Sequence, residues 1–144
     1  MWLARIGLER LADRRPGELS GGEAQRVAVA RALAIGPRVV FADEPTGSLD
    51  SLAGEQVMNL LTDAARTEGV TVVLVTHEID LASDVADRIV LLRAGRALAS
   101  GPPNETLTPD LLRRAFGVES RVETDGRGKR RVVPYAAAGD EGRL

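Results

Sequence analysis

Three short clusters in this sequence hold groups that could act on an anionic, metal-bearing substrate. Asp43-Glu44 follows the apolar run Arg38–Ala42, and Thr76-His77 follows the apolar run Val70–Val75. In an open parallel sheet, ligands sit beyond the carboxyl ends of the strands. If these two runs are neighbouring strands, two acids and an imidazole meet in one crevice. That set suits a magnesium-bound phosphate. Asp43 could hold Mg²⁺, usually with waters between. Glu44 could accept a proton from, or orient, an attacking water. His77 could hydrogen-bond a terminal phosphate. Taken singly, an acid after a strand is as readily a helix cap, and a lone histidine is more often structural; the chemistry lies in the combination. The third cluster is Leu19-Ser20-Gly21-Gly22-Glu23. Two glycines at a helix start leave backbone N–H groups uncovered, and the helix dipole adds positive potential there. The result is an anion site without a basic side chain. The plainer alternative is a capping box alone, with Ser20 at N-cap and Glu23 at N3.

The elements that must position these groups follow from periodicity and punctuation. Residues 1–18 suggest a short amphipathic helix, roughly Leu3–Leu11, and a polar turn at Arg14–Gly17. The helix opened by Ser20 should run to about Ala34, where Gly36-Pro37 stops it. Arg38–Ala42 reads as a parallel strand covered on both faces. Ser51–Glu68 reads as a helix with Leu52, Val57, Leu60, Leu61, Ala64 and Ala65 mostly on one stripe and Gly69 as its stop. Val70–Val75 is a second buried strand, and Glu78–Asp87 a short helix. Arg88–Arg93 and Arg96–Ser100 flank Ala94-Gly95 as a hairpin. Thr108-Pro109 suits N-cap and N1 of a helix ending near Gly117. Val118–Thr124 and Arg130–Tyr135 bracket Asp125–Gly128 as a second hairpin, and Ala136–Leu144 reads as a frayed tail. Strand–helix–strand alternation implies an α/β domain with a parallel sheet.

Composition narrows the class. The 144 residues are 44% hydrophobic and 28% charged, ordinary for a globular chain with a real core. A net charge of −2 gives no sign of a nucleic-acid-binding face, and the basic stretch Arg127–Arg131 reads as a solvated hairpin tip. The absence of cysteine excludes disulfides, thiol catalysis and Cys-based metal sites. No window has the apolar length of a membrane span and no signal peptide is seen, so a membrane role is expected to pass through a partner.

With these residues in view, the chain resembles the ATP-binding-cassette (ABC) ATPases. Leu19–Arg26 (LSGGEAQR) resembles the family's signature motif and its helix. Val39–Glu44 (VVFADE) is similar to a Walker B strand with its glutamate. Ser48-Leu49-Asp50 within Pro45–Asp50 (PTGSLD) resembles a D-loop, and His77 in Thr76-His77-Glu78 an H-loop histidine. The motifs keep the family order over roughly residues 3–100.

The resemblance implies a partial P-loop NTPase fold with a parallel sheet core and a C-terminal β-hairpin extension. It divides the chain into an ABC ATPase part at 1–100, a helix and hairpin extension at 101–135 and a flexible tail at 136–144. It implies ATP and Mg²⁺ as cofactors, a second ABC ATPase subunit paired head to tail, and transmembrane permease subunits. Localisation would be cytoplasmic, on the inner face of the cell membrane. By the same resemblance, Asp43 would support Mg²⁺, Glu44 would polarise the water, and His77 would contact the γ-phosphate. Ser20, Gly21 and Gly22, with Glu23 beside them, would cover the ATP held by the partner, and Asp50 would link the two sites.

One family element is not found in these residues. A Walker A loop reads G-x-x-x-x-G-K-[ST], yet the only lysine is Lys129, followed by Arg130 and lying after the H-loop. Gln25 and Gln56 stand in the wrong places for a Q-loop. The chain is therefore expected to be a truncated form, with unpaired strand edges and uncovered apolar faces, poor stability and weak or no ATP binding by itself. Three readings follow: an energy-coupling ATPase subunit, a non-catalytic dimerisation module that offers Ser20-Gly21-Gly22 to a complete partner, or a fragment without function. For the cargo, Asp43–Ser51 resembles exporter and lipoprotein-release ATPases, whereas Leu107–Val118 and the final hairpin resemble iron-siderophore and haem importers. Neither segment would touch a transported molecule.

Overall fold

The computed structural model describes residues 2–126 and 130–137. The chain forms two compact units, Met1–His77 and Glu78–Leu144.

The first unit opens with a short helix, α1 (Trp2–Arg5), and 3₁₀ turns at Glu9–Leu11 and Pro16–Glu18. The single amphipathic helix expected at Leu3–Leu11 is thus broken. Gly7 takes a left-handed backbone, φ +69°, which ends the helical run and lets Ile6 and Leu8 both turn inward. Helix α2 (Gly21–Leu33) begins where the capping box puts it and buries Val29, Ala30 and Leu33. Strand β1 (Val39–Asp43) leads to α3 (Ser51–Glu68) and strand β2 (Thr71–Val75). The strands pair in parallel, from Val39 opposite Thr71 to Asp43 opposite Val75. A parallel pair needs a long crossover, and α3 provides it. Its inward stripe is Ala53, Gly54, Val57, Met58, Leu60, Leu61 and Ala64. Leu52, expected on that stripe, is instead exposed, because it precedes the stripe by one position and points off its edge.

The expectation that both strands are covered on both faces is corrected. The side-chain period of a strand is two, and only one parity is covered here. Val40 is buried and Ala42, Val72 and Leu74 are half-buried, whereas Val39, Phe41, Val73 and Val75 are exposed, Phe41 by 78%. Among the described residues the sheet has two strands, β1 and β2, and its second apolar face meets solvent.

The second unit contains α4 (Ile79–Val85), strands β3 (Ile89–Arg93) and β4 (Arg96–Gly101), helices α5 (Pro103–Thr106) and α6 (Pro109–Phe116), and strands β5 (Val118–Thr124) and β6 (Arg130–Ala137). Helix α5 was not foreseen from sequence. Strands β3 and β4 form the expected antiparallel hairpin, and Ala94 and Gly95 both take positive φ, 49° and 74°, as a two-residue type I′ turn requires. Thr108 caps α6 through the Leu111 amide, and Gly117 closes it. Ile89, Leu91, Leu107 and Leu112 form the core of this unit. Side chains tie β6 down: Asp80 accepts from the Val132 amide at 3.1 Å, and Ser83 donates to the Arg130 carbonyl at 2.7 Å. Ala136 and Ala137, expected in the frayed tail, instead continue β6 opposite Glu119 and Val118; the basic tip at residues 127–129, with Lys129, and the rest of that tail, 138–144, lie outside the described residues.

Candidate functional site

The carboxyl ends of β1 and β2 lie side by side, so groups far apart in sequence meet there. The Glu44 amide donates to the Val75 carbonyl at 2.9 Å, carrying the parallel ladder one step past Asp43. His77 lies two residues beyond Val75. Its Nδ1 stands 2.9 Å from Oε1 of Glu44. An ionised carboxylate only accepts, so Nδ1 carries the proton in this contact. The pair is not sealed from water: the imidazole is 77% exposed and the carboxylate 37%. Its Coulombic worth is therefore modest, and its value lies in orientation. Oε2 of Glu44 is buried and accepts no hydrogen bond from a described group.

The backbone at Glu44 is unusual. Its φ is +44°, in the left-handed region that few side chains adopt. The turn that follows explains how it is held: the Gly47 amide donates to the Glu44 carbonyl at 3.2 Å, and the Leu49 amide to the Thr46 carbonyl at 3.0 Å. Asp43, the last residue of β1, is exposed on the open face of the sheet.

The remaining sequence-predicted residues occupy the tips of two neighbouring helices. At the start of α2 the capping box is complete. Ser20 Oγ accepts from the Glu23 amide at 3.4 Å, and Glu23 Oε2 accepts from the Ser20 amide at 2.8 Å. The Ser20 backbone N–H, and then the Ser20 hydroxyl, hold the Glu23 carboxyl below the ordinary carboxylate range. Glu23 is thus engaged with its own helix cap. At the start of α3, Asp50 is the N-cap, with Oδ1 accepting from the Ala53 amide at 2.9 Å. Sequence reasoning gave Asp50 a link across a dimer and missed this cap, although an aspartate just before a helical stripe is itself a capping signal. Arg26, four residues beyond Gly22, donates to Gln56 of α3. Glu44 and His77 are therefore brought into direct contact, whereas Ser20, Gly21, Gly22, Glu23 and Asp50 gather where α2 meets α3.

Among the described residues, no group of three or more His, Cys, Asp or Glu side chains forms a metal cage. Mg²⁺ does not require one, since it keeps several waters and takes one or two carboxylates plus phosphate oxygens. Asp43, exposed at the end of β1, fits that pattern.

Comparison with known proteins agrees with this reading. A family model described as "ABC transporter" matches residues 1–47. The methionine import ATP-binding protein of Cereibacter sphaeroides is 48% identical over 100 residues, covering 69% of this chain and 28% of its own length. The phosphonates import ATP-binding protein of Thiobacillus denitrificans is 44% identical over 126 residues, covering 85% and 48%. Among solved structures, an inward-facing transporter described as of metal-chelate ABC type superposes with a TM-score of 0.83 at 29% identity, over 94% of this chain and 55% of that one. A dimeric ATP-binding cassette bound to ADP and Pi gives 0.62 at 44% identity, over 71% and 44%. Fold, motifs and relatives together make the chain a segment of an ABC ATP-binding protein, with the partial P-loop NTPase fold that its sequence implies. It spans about half or less of the length of those curated relatives.

Proposed function

We propose that this segment contributes catalytic and signature groups to an ATP-driven transporter motor. The observation that carries the reading is the contact between His77 Nδ1 and Glu44 Oε1, made at the ends of two adjacent parallel strands. In the proposed arrangement, the imidazole holds Oε1 of Glu44, and the carboxylate orients the water that attacks the terminal phosphate and accepts its proton. With its Nδ1 proton directed at Glu44, the ring can donate from Nε2 to a phosphate oxygen only when it is charged. Asp43 would hold Mg²⁺ through water, and the ion when bound would neutralise phosphate charge. Ser20, Gly21 and Gly22 would cap the ATP of a second ABC subunit paired head to tail, and Asp50 would stand between the two sites. The dimeric cassette among the structural neighbours supports that pairing. Permease subunits at the inner face of a cell membrane complete the proposal. Among the described residues, no helix is long and apolar enough to cross a membrane. The named relatives are importers, which supports import, while their cargoes differ in chemistry.

A second reading has its own observation. A Cβ built on Gly21 would meet only Leu49 Cδ2, at 3.9 Å, so the tip of α2 is open to a ligand, and in this reading Ser20-Gly21-Gly22 is offered to the ATP of a complete subunit. Mixing this chain with a complete ABC ATP-binding subunit in Mg-ATP distinguishes the two. Two bound nucleotides per mixed dimer, counted by calorimetry, support the catalytic reading. One supports the donor reading, and no ATP-dependent association overturns both.

A further inference from the structure

The two glycines of Ser20-Gly21-Gly22-Glu23 have different surroundings. A Cβ built on Gly21 would meet only Leu49 Cδ2, at an ordinary 3.9 Å. A Cβ built on Gly22 would lie 2.7 Å from the Cβ of Ala53, closer than carbon atoms approach without something moving. Ala53 cannot turn away, since its Cβ is fixed by the helix backbone. It is buried in the first turn of α3, and its amide is the one that Asp50 caps. The next residue, Gly54, would bring a Cβ within 3.5 Å of Thr46, in the turn that follows Glu44. The first turn of α3 is thus seated between the tip of α2 and the loop that carries Glu44.

We infer that Ala53 is a positioning residue: its methyl group, fitted against the bare Cα of Gly22, sets where the backbone N–H groups of Gly21 and Gly22 stand relative to Glu44. Gly22 lacks a side chain to admit α3, and Gly21 keeps its outward side open to a ligand. The direction of the first effect is informative. Glycine is a poor helix former, and alanine in its place ordinarily favours a helix, so a loss on Gly22→Ala has to come from the Ala53 contact.

The consequence for nucleotide rests on the function proposed above, and the test separates the two. Four variants of the full chain are compared: Gly21→Ala, Gly22→Ala, Ala53→Gly, and the double variant Gly22→Ala with Ala53→Gly. Each is melted, and each is titrated with the methionine import ATP-binding protein of Cereibacter sphaeroides in Mg-ATP. Gly22→Ala is expected to lower the melting temperature by about 5 °C and to raise at least tenfold the ATP concentration needed for association. The double variant recovers both relative to Gly22→Ala. Gly21→Ala melts normally but loses ATP-dependent association. If the double variant melts no better than Gly22→Ala, or Gly22→Ala melts like the parent, the inference fails. If the melting rescue holds while the parent chain shows no ATP-dependent association, the packing role stands and the proposed function fails. If the rescue restores melting but not association, Ala53 is a packing residue only and its positioning role is overturned.

Discussion

In the unit Met1–His77 the strands β1 and β2 run parallel and are separated by the whole of α3. In the unit Glu78–Leu144 both strand pairs are antiparallel, and β3 passes to β4 through two residues. A hairpin closes a short loop at small entropic cost, whereas a parallel pair must order its crossover first. In return, a parallel pair brings its two carboxyl ends together, so Glu44 and His77 meet across 33 positions of sequence. The hairpins bring together no comparable pair of chemical groups among the described residues; there a helix side chain serves a hairpin backbone, as Asp80 of α4 does for Val132. Reactive groups are thus carried by the topology that is harder to close, and that topology leans on one helix.

Substitutions in the two units put this contrast to the test. The largest effect belongs to Glu44→Gln, which is expected to slow phosphate release from a competent mixed assembly by about 10²–10⁴-fold; Asp80→Asn, in the other unit, leaves the rate unchanged. An equal loss from both would erase the distinction between the units. Leu61→Ala removes a fully buried side chain from the crossover helix. It should cost about 2–5 kcal/mol in denaturant unfolding, with amide protection lost throughout β1 and β2. Asp80→Ala should cost about 1 kcal/mol, read as faster hydrogen exchange at Val132. Phe41→Gln, on the open sheet face, should change stability by no more than about 0.5 kcal/mol while raising the concentration at which the chain stays monodisperse in light scattering. The smallest effect is on pH. The Glu23 carboxyl is held below its usual range in the folded state, so its contribution is present above the unfolded carboxyl pKa and fades as pH falls through the folded one. Glu23→Gln should flatten that acid limb of the stability curve.

Elements punctuated by local chemistry were legible in sequence. The capping box at Ser20, the Ala94-Gly95 turn and the Thr108 cap all stand where expected, because each is decided by residues within four positions. The meeting of Glu44 with His77 was legible for a different reason: two apolar runs ending in reactive residues suffice once the strands are neighbours. Uncovered apolar faces were expected, but which face of the sheet they occupy was not legible. Val39 and Phe41 are as apolar as Val40, and which parity is covered depends on what packs there and not on the strand itself. The contact of Gly22 with Ala53 was equally hidden, since a glycine needed for close approach and one needed for a ligand look alike in sequence.

The left-handed backbone at Glu44 carries a consequence for how this position responds to change. A bulky residue held at positive φ costs about 1–3 kcal/mol, and glycine would relieve that cost while deleting the carboxylate. Selection for sturdiness alone would drift toward glycine there, and selection for the role proposed for Glu44 would keep the acid.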